Sequence, residues 1–196
     1  MPNIIDEHKT IFIHIPKNAG TSILKAFGED RAAHDKWYFF KKNYPEKWAA
    51  YFKFAVIRNP WDRVVSNYEY AVLNKSYWHS SCGDAIYGKH RDYDMLKEKS
   101  FEEAIWLLKN DFKSFKHAGW KAQHIFICNK QFIPQTNILR FENIEAEFNQ
   151  LFPQLVLPKI NQSRDNNAYR HYYTGNTIKL VEEIYKKDIE LFKYSF

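Results

Sequence analysis

The chain has 196 residues, of which 45% are hydrophobic and 18% aromatic, and its formal net charge is +6. This length and composition are typical of a globular protein with a substantial core, and they exclude a disordered, collagen-like or repeat protein. A basic surface attracts anions, which leaves nucleotides, nucleic acids, acidic glycans and membrane surfaces open as partners.

The two cysteines, Cys82 and Cys128, form no C-x-x-C or Cys/His pattern, so neither a disulfide framework nor a zinc site is indicated. No stretch is apolar for long enough to span a membrane, and the first residues do not resemble a signal peptide. We therefore expect one domain over residues 1–196, without a bound metal, in the reducing environment of the cytoplasm.

The first recognisable elements are a strand, a loop and a helix. A buried strand is predicted over Thr10–Ile15, because this run is mostly apolar and β-branched and ends at a proline. A loop over 17–20 follows, and Thr21 and Ser22 open a helix that we expect to end at Gly28.

A second strand-to-helix junction follows the same order. Phe52–Ile57 is a strand candidate with Arg58 at its end. Asn59 and Pro60 then supply a helix cap and a proline at the first helical position, and apolar residues recur at helical spacing as far as Val72.

The remaining segments are less regular. Residues 29–51 have no clear period, 74–99 form a polar loop or lid region, and 153–173 are irregular. Hydrophobic patterns predict a helix over 101–108, a possible strand at Ile125–Ile127, a strand over 137–141, a helix over 144–152 and a last helix over 177–192.

The loop between the first strand and its helix has the chemistry of an anion site. Free N–H groups and the partial positive charge of a helix N-terminus face such a loop, Lys17 adds a full charge, and Gly20 permits close approach of the backbone. The lysine precedes the glycine, whereas the Walker A motif of ATP-hydrolysing P-loop enzymes has its lysine directly after one. Phosphate or a related anion is the expected ligand, although an ordinary strand-to-helix turn has the same local pattern.

The second junction offers a matching group of polar side chains. Arg58 places a bidentate cation at a strand end, and Ser66 follows two helical turns later. Arg63 is either part of this group or a member of a surface ion pair. Two anion sites in sequence suit a ligand with two phosphate groups.

The two junctions together resemble the motifs of the carbohydrate sulfotransferase family, which includes heparan sulfate 2-O-sulfotransferase and small bacterial proteins. Residues 13–22 resemble that family's 5′-phosphosulfate loop, and residues 56–66 resemble its 3′-phosphate motif. Segments 139–143, 160–163 and 172–194 are also similar to the family, so the resemblance covers most of the chain.

This resemblance implies an α/β, P-loop-like, three-layer fold with a central, mainly parallel sheet flanked by helices. It implies a sulfotransferase that uses 3′-phosphoadenosine 5′-phosphosulfate (PAPS) as donor, without a metal, and sulfates a hydroxyl, most simply that of a carbohydrate. The implied donor-binding residues are Pro16, Lys17, Asn18, Ala19, Gly20, Thr21, Ser22, Arg58, Ser66, Ser163 and Arg164.

Sulfuryl transfer needs charge stabilisation at the leaving oxygen and a base for the acceptor proton. Lys17 fits the first role. Family members take the base from the region between the two phosphate motifs, and His34 is the histidine in that region, with Asp30, Asp35 and His124 as alternatives. His14 alternates with apolar residues in the first strand, so we expect it to be a hydrogen-bonded structural residue rather than a catalyst.

Two other functions remain open at this stage. One is a kinase-like phosphoryl transferase that uses ATP and magnesium. The other is a non-catalytic module that binds acidic glycans or nucleic acids through its basic charge and aromatics. The aromatic residues 37–40 either line a platform for a sugar or pack in the core. The sequence does not define the acceptor, whose selecting contacts we expect in the polar region 74–99.

Overall fold

The computed structural model describes residues 3–29, 33–74, 88–158, 160 and 168–196. Two compact units are formed, one from Met1–Asn59 with Lys121–Asp165 and the other from Pro60–Trp120 with Asn166–Phe196. They are called the sheet unit and the helical unit below. The organisation of residues 1–196 as a single domain remains a prediction.

The sheet unit contains a four-stranded sheet in the order β1-β2-β3-β4. Its strands are β1 (Ile4–Ile5), β2 (Thr10–Ile13), β3 (Phe52–Ile57) and β4 (Asn137–Arg140). The short β1 is antiparallel to β2, whereas β2, β3 and β4 are parallel. The sheet is therefore mainly parallel, as predicted, and the strands predicted over 10–15, 52–57 and 137–141 are confirmed within one or two residues.

The helices, numbered in chain order over both units, are α1 (Gly20–Ala26), α2 (Trp37–Asn43), α3 (Pro45–Ala50), α4 (Pro60–Val72), α5 (Tyr93–Leu96), α6 (Phe101–Asn110), α7 (His124–Ile127), α8 (Ile144–Leu151), α9 (Gly175–Ile184) and α10 (Lys186–Phe192). Short 3-10 turns occupy Asp6–His8, Phe112–Ser114, Ala118–Trp120, Phe141–Asn143 and Ala168–Tyr172. Among the described residues, no helix is both long and apolar enough to cross a bilayer.

The core of the sheet unit forms where aromatic strand residues meet the helices. Phe12 and Phe54 stack at 5.0 Å between ring centroids on neighbouring strands. Ile23 of α1 and Phe148 of α8 are fully buried in the same cluster. Burial of each such side chain contributes about 1.5–3 kcal/mol, so the core fixes the ends of the parallel strands, where the junctions emerge.

One predicted strand is wrong. Ile125–Ile127 lies inside helix α7, whose closing hydrogen bond runs from the Cys128 N–H to the His124 carbonyl at 2.7 Å. A short apolar run fits a buried helical turn as well as a strand, and here Phe126 and Ile127 are buried in the helical conformation.

The helical unit differs from prediction at its last element. The single helix predicted over 177–192 is two helices, α9 and α10, because Tyr185 leaves helical geometry between them (φ −110°, ψ 21°). The Tyr185 hydroxyl donates to the Trp120 carbonyl at 2.7 Å in the interior.

Arg63 belongs to the same unit and is only 2% exposed. The alternative that it forms an ion pair on the surface is therefore wrong.

Candidate active site

The loop between β2 and α1 has an unusual backbone. Lys17 and Ala19 adopt positive φ angles of 69° and 58°, while Asn18 between them does not. Such alternation turns successive N–H groups toward one side and creates a concave anion site, or nest. Ala19 precedes α1 without a side-chain cap, so it leaves the N–H groups of the first helical turn to other acceptors.

Asn18 fixes this loop to the neighbouring strand. Its side chain is fully buried, and Nδ2 donates to the Val56 carbonyl and to Gln123 Oε1, both at 2.7 Å. Asn18 Oδ1 is buried without a hydrogen-bond partner. Breaking either bond donated by Nδ2 would leave further buried polar groups without partners, which is costly. These two bonds therefore hold the loop in one position.

Gln123 connects the loop to the end of β3. It is fully buried just before α7; its Oε1 also accepts from the Arg58 N–H at 2.9 Å, and its Nε2 donates to the Arg58 carbonyl at 2.8 Å. The sequence gives no motif that would single out this residue, because its role depends on the packing of α7 beside β3.

Arg58 lies against the loop. Its Nη1 donates to the Lys17 carbonyl at 3.0 Å, and its guanidinium carbon lies 3.9 Å from the centroid of the Phe141 ring. A guanidinium stacked in this way is pre-oriented, which lowers the entropy lost when it binds an anion. The structure thus brings Arg58 and the predicted donor loop together.

Two histidines stand beside the first turn of α1. The His14 and His34 ring centroids are 4.4 Å apart, and His34 Nδ1 lies 3.3 Å from the His14 carbonyl oxygen. His14 is buried, whereas His34 is exposed. Burial, assisted by the nearby His34, holds the pKa of His14 well below its ordinary value, so its ring is neutral near pH 7.

Gly20 is the residue that admits the His14 ring. A Cβ at Gly20 would overlap the imidazole at Nε2, Cδ2 and Cε1. The first residue of α1 must therefore be glycine for His14 to take this position. The expectation that His14 is a hydrogen-bonded structural residue is wrong at Nδ1, which is buried without a hydrogen-bond partner. The contacts with Gly20 and His34 are features that strand alternation alone does not reveal.

Two further predicted site residues, Ser22 and Ser66, lie on helices α1 and α4. Ser22 is buried and its Oγ accepts from the Ile160 N–H at 3.4 Å, and Ser66 is 9% exposed on α4 of the helical unit. Asp30, Ser163 and Arg164 lie outside the described residues, as do residues 75–87 of the polar region, which include Cys82.

Asp35 and His124, the described alternatives to His34 as the base, lie in different environments. Burial raises the pKa of Asp35. His124 begins α7, with its ring 5.6 Å from that of Phe132. Within the described ranges, no group of three or more His, Cys, Asp or Glu side chains is arranged to hold a metal ion.

A mainly parallel sheet whose second strand leads through a short loop with alternating positive φ angles into a helix defines an α/β protein of the P-loop-like class. The chain belongs to the sulfotransferase family: the model of that family matches residues 3–195. No curated protein matches the chain, and no solved structure matches it either. The family assignment confirms the predicted sulfotransferase and, with it, sulfuryl transfer as the general reaction.

Proposed function

We propose that this protein transfers a sulfuryl group from PAPS to a hydroxyl group of a carbohydrate. The observation that carries the proposal is the hydrogen bond from Arg58 Nη1 to the Lys17 carbonyl, which joins an oriented cation to the anion-binding loop. PAPS has a 5′-phosphosulfate and a 3′-phosphate, and a ligand with two anionic groups suits a loop and a guanidinium held side by side.

The donor would be held by two sets of groups. The N–H groups of the loop would bind the 5′-phosphosulfate, together with the side chains of Thr21 and Ser22. Arg58 and Ser66 would bind the 3′-phosphate, with Ser163 or Arg164 as additional contacts. The nest and the stacked guanidinium support this division, because each is shaped before any anion binds.

The donor supplies a sulfur atom with a good leaving group. Lys17 would stabilise the negative charge that develops on the leaving phosphate oxygen, since an ammonium at that position acts more strongly on the transition state than on the bound donor. His34 would accept the proton of the attacking hydroxyl. Its exposure makes it accessible to an acceptor, and its contact with His14 keeps it near the first residues of α1.

A calorimetric titration tests the donor. Tight binding of 3′,5′-bisphosphoadenosine without metal, and weak binding of ATP with or without magnesium, is the expected result. The reverse order would favour a phosphoryl transferase, which the position of Lys17 before Gly20 argues against. The Arg58→Lys substitution keeps the charge but removes the guanidinium group that can donate two parallel hydrogen bonds. The affinity for the bisphosphate should therefore fall about tenfold or more.

Transfer itself requires an acceptor screen. Radiolabelled PAPS should label one class of hydroxyl compound among polysaccharides, lipid-linked sugars and small glycosides. Strong binding of acidic polymers with no transfer to any acceptor would instead indicate a binding module. A cytoplasmic location, expected from the cysteine pattern, is part of the same proposal.

A further inference from the structure

The contact between His34 and His14 indicates which nitrogen of the His34 ring carries a hydrogen. A carbonyl oxygen can only accept a hydrogen bond, so the 3.3 Å approach of His34 Nδ1 to the His14 carbonyl is favourable when Nδ1 carries the hydrogen. In a neutral imidazole the other nitrogen, Nε2, then has the lone pair.

The His14 ring is itself held on several sides. It stacks on the Phe12 ring at 5.5 Å and 19°, lies against Gly20 and is in ring contact with His34. Because its side chain is buried among these groups, its backbone carbonyl and its ring form a fixed support for the exposed His34.

From this geometry we propose that His14 is a positioning residue that holds His34 in the Nδ1–H tautomer and so presents Nε2 as the atom that accepts the acceptor's proton. The inference rests on the proposed role of His34 as the base. The step is balanced: the proton leaves the attacking hydroxyl, its oxygen bonds to sulfur, and the electrons of the breaking sulfur–oxygen bond stay on the phosphate of the released 3′,5′-bisphosphoadenosine.

The neutral state of His14 is part of this arrangement. A protonated ring at 4.4 Å would repel the positive charge that His34 gains when it takes the proton. Burial keeps the pKa of His14 low, which removes that repulsion at neutral pH.

The tautomer can be measured without any donor or acceptor. Long-range proton–nitrogen correlation spectra of the full, nitrogen-labelled chain, at a pH where histidines are neutral, report which ring nitrogen carries hydrogen. The His34 signals are assigned by their loss in His34→Asn. We expect the Nδ1–H form to be the major species, and a major Nε2–H form, the one free histidine prefers, would overturn the proposal.

Two substitutions separate positioning from simple packing. His14→Ala keeps the carbonyl that accepts from His34 Nδ1 but removes the ring that packs against His34. We therefore expect His34 to lose its fixed position, its tautomers to mix and kcat to fall about tenfold or more, with affinity for 3′,5′-bisphosphoadenosine nearly kept. His14→Phe restores a ring of similar shape and should recover most of kcat. Equal kcat and an equal Nδ1–H population in His14→Ala and the unchanged chain would refute a positioning role for the His14 ring.

The outcomes also distinguish this inference from the proposed function. If His14→Ala does not fold, the tautomer of the unchanged chain and the rate of His14→Phe still decide the question. Failure of the chain to bind the bisphosphate or to transfer sulfate is a failure of the proposed function, whereas an Nε2–H tautomer in an active enzyme is a failure of the inference alone.

Discussion

Gln123 forms two hydrogen bonds with the backbone of Arg58, one from the Arg58 N–H to its Oε1 and one from its Nε2 to the Arg58 carbonyl. The same Oε1 accepts from Asn18 in the loop between β2 and α1. The buried side-chain amide of Gln123 thus fixes the position of the loop relative to the end of β3.

Replacing Gln123 with leucine should destabilise the chain. The substitution leaves the Arg58 N–H, the Arg58 carbonyl and one Asn18 amide hydrogen without their partner, and we expect the free energy of unfolding in urea to fall by about 3 kcal/mol. Affinity for 3′,5′-bisphosphoadenosine should fall as well. Gln150→Leu, at an exposed position of α8, is the matched control and should change the stability by less than about 0.5 kcal/mol. Equal effects of the two substitutions would contradict the role given to Gln123.

Gly20 and His14 should be energetically coupled. Gly20→Ala brings a Cβ into the His14 ring, and overpacking of this kind costs about 1–3 kcal/mol. In a chain that already carries His14→Ala, the same methyl group has room, so the double-mutant cycle should show a coupling of about 1 kcal/mol or more.

Gly175→Ala is the control for that cycle, since a Cβ at Gly175 meets no atom within 4 Å. Its effect should be close to zero with or without His14. Additive effects of Gly20→Ala and His14→Ala would show that the two residues do not touch in solution.

Lys17→Ala should separate binding from turnover. Loss of a charge that acts mainly on the transition state lowers kcat by about 100- to 1,000-fold, while the affinity for 3′,5′-bisphosphoadenosine changes only a few-fold. Lys25→Ala removes the same charge from an exposed position at the end of α1 and serves as the control. A normal kcat in Lys17→Ala would remove this residue from the chemistry.

Stability should fall in acid because of His14. Its pKa is below the ordinary 6.5 in the folded chain, so the unfolded chain binds more protons as the pH drops below about 6.5. The free energy of unfolding therefore falls progressively as the pH drops below about 6.5.

His14→Phe lacks that titration. Urea unfolding of both chains at several pH values should therefore show the stability of the unchanged chain, relative to His14→Phe, declining toward acid. A difference that is constant with pH would mean that His14 titrates normally in the folded state.

The sequence predicts the parallel strands and the loop well, because strand, loop and helix follow one another and each is marked by local chemistry. It fails at Ile125–Ile127, where a run too short to show a period folds as a helix. It also fails at Tyr185, where a distant carbonyl hydrogen bond accompanies a break between two helices.

The residues of the candidate site also differ in whether the sequence alone can identify them. Lys17 and Arg58 belong to contiguous motifs and could be recognised from them. Gln123 and His14 could not, since their contacts with Arg58 and His34 join segments that are 65 and 20 residues apart along the chain. Local patterns carry no information on such pairs.

The positive φ angles of Lys17 and Ala19 have a consequence for any ligand that the loop would bind. Non-glycine residues in this region are disfavoured by about 1–2 kcal/mol each, and the buried bonds of Asn18 hold them there before any anion arrives. The free energy of ordering the loop is thus spent while the chain folds. If an anion binds here as proposed, it meets a backbone that already has its bound shape, so neither its capture nor its release would require the loop to refold.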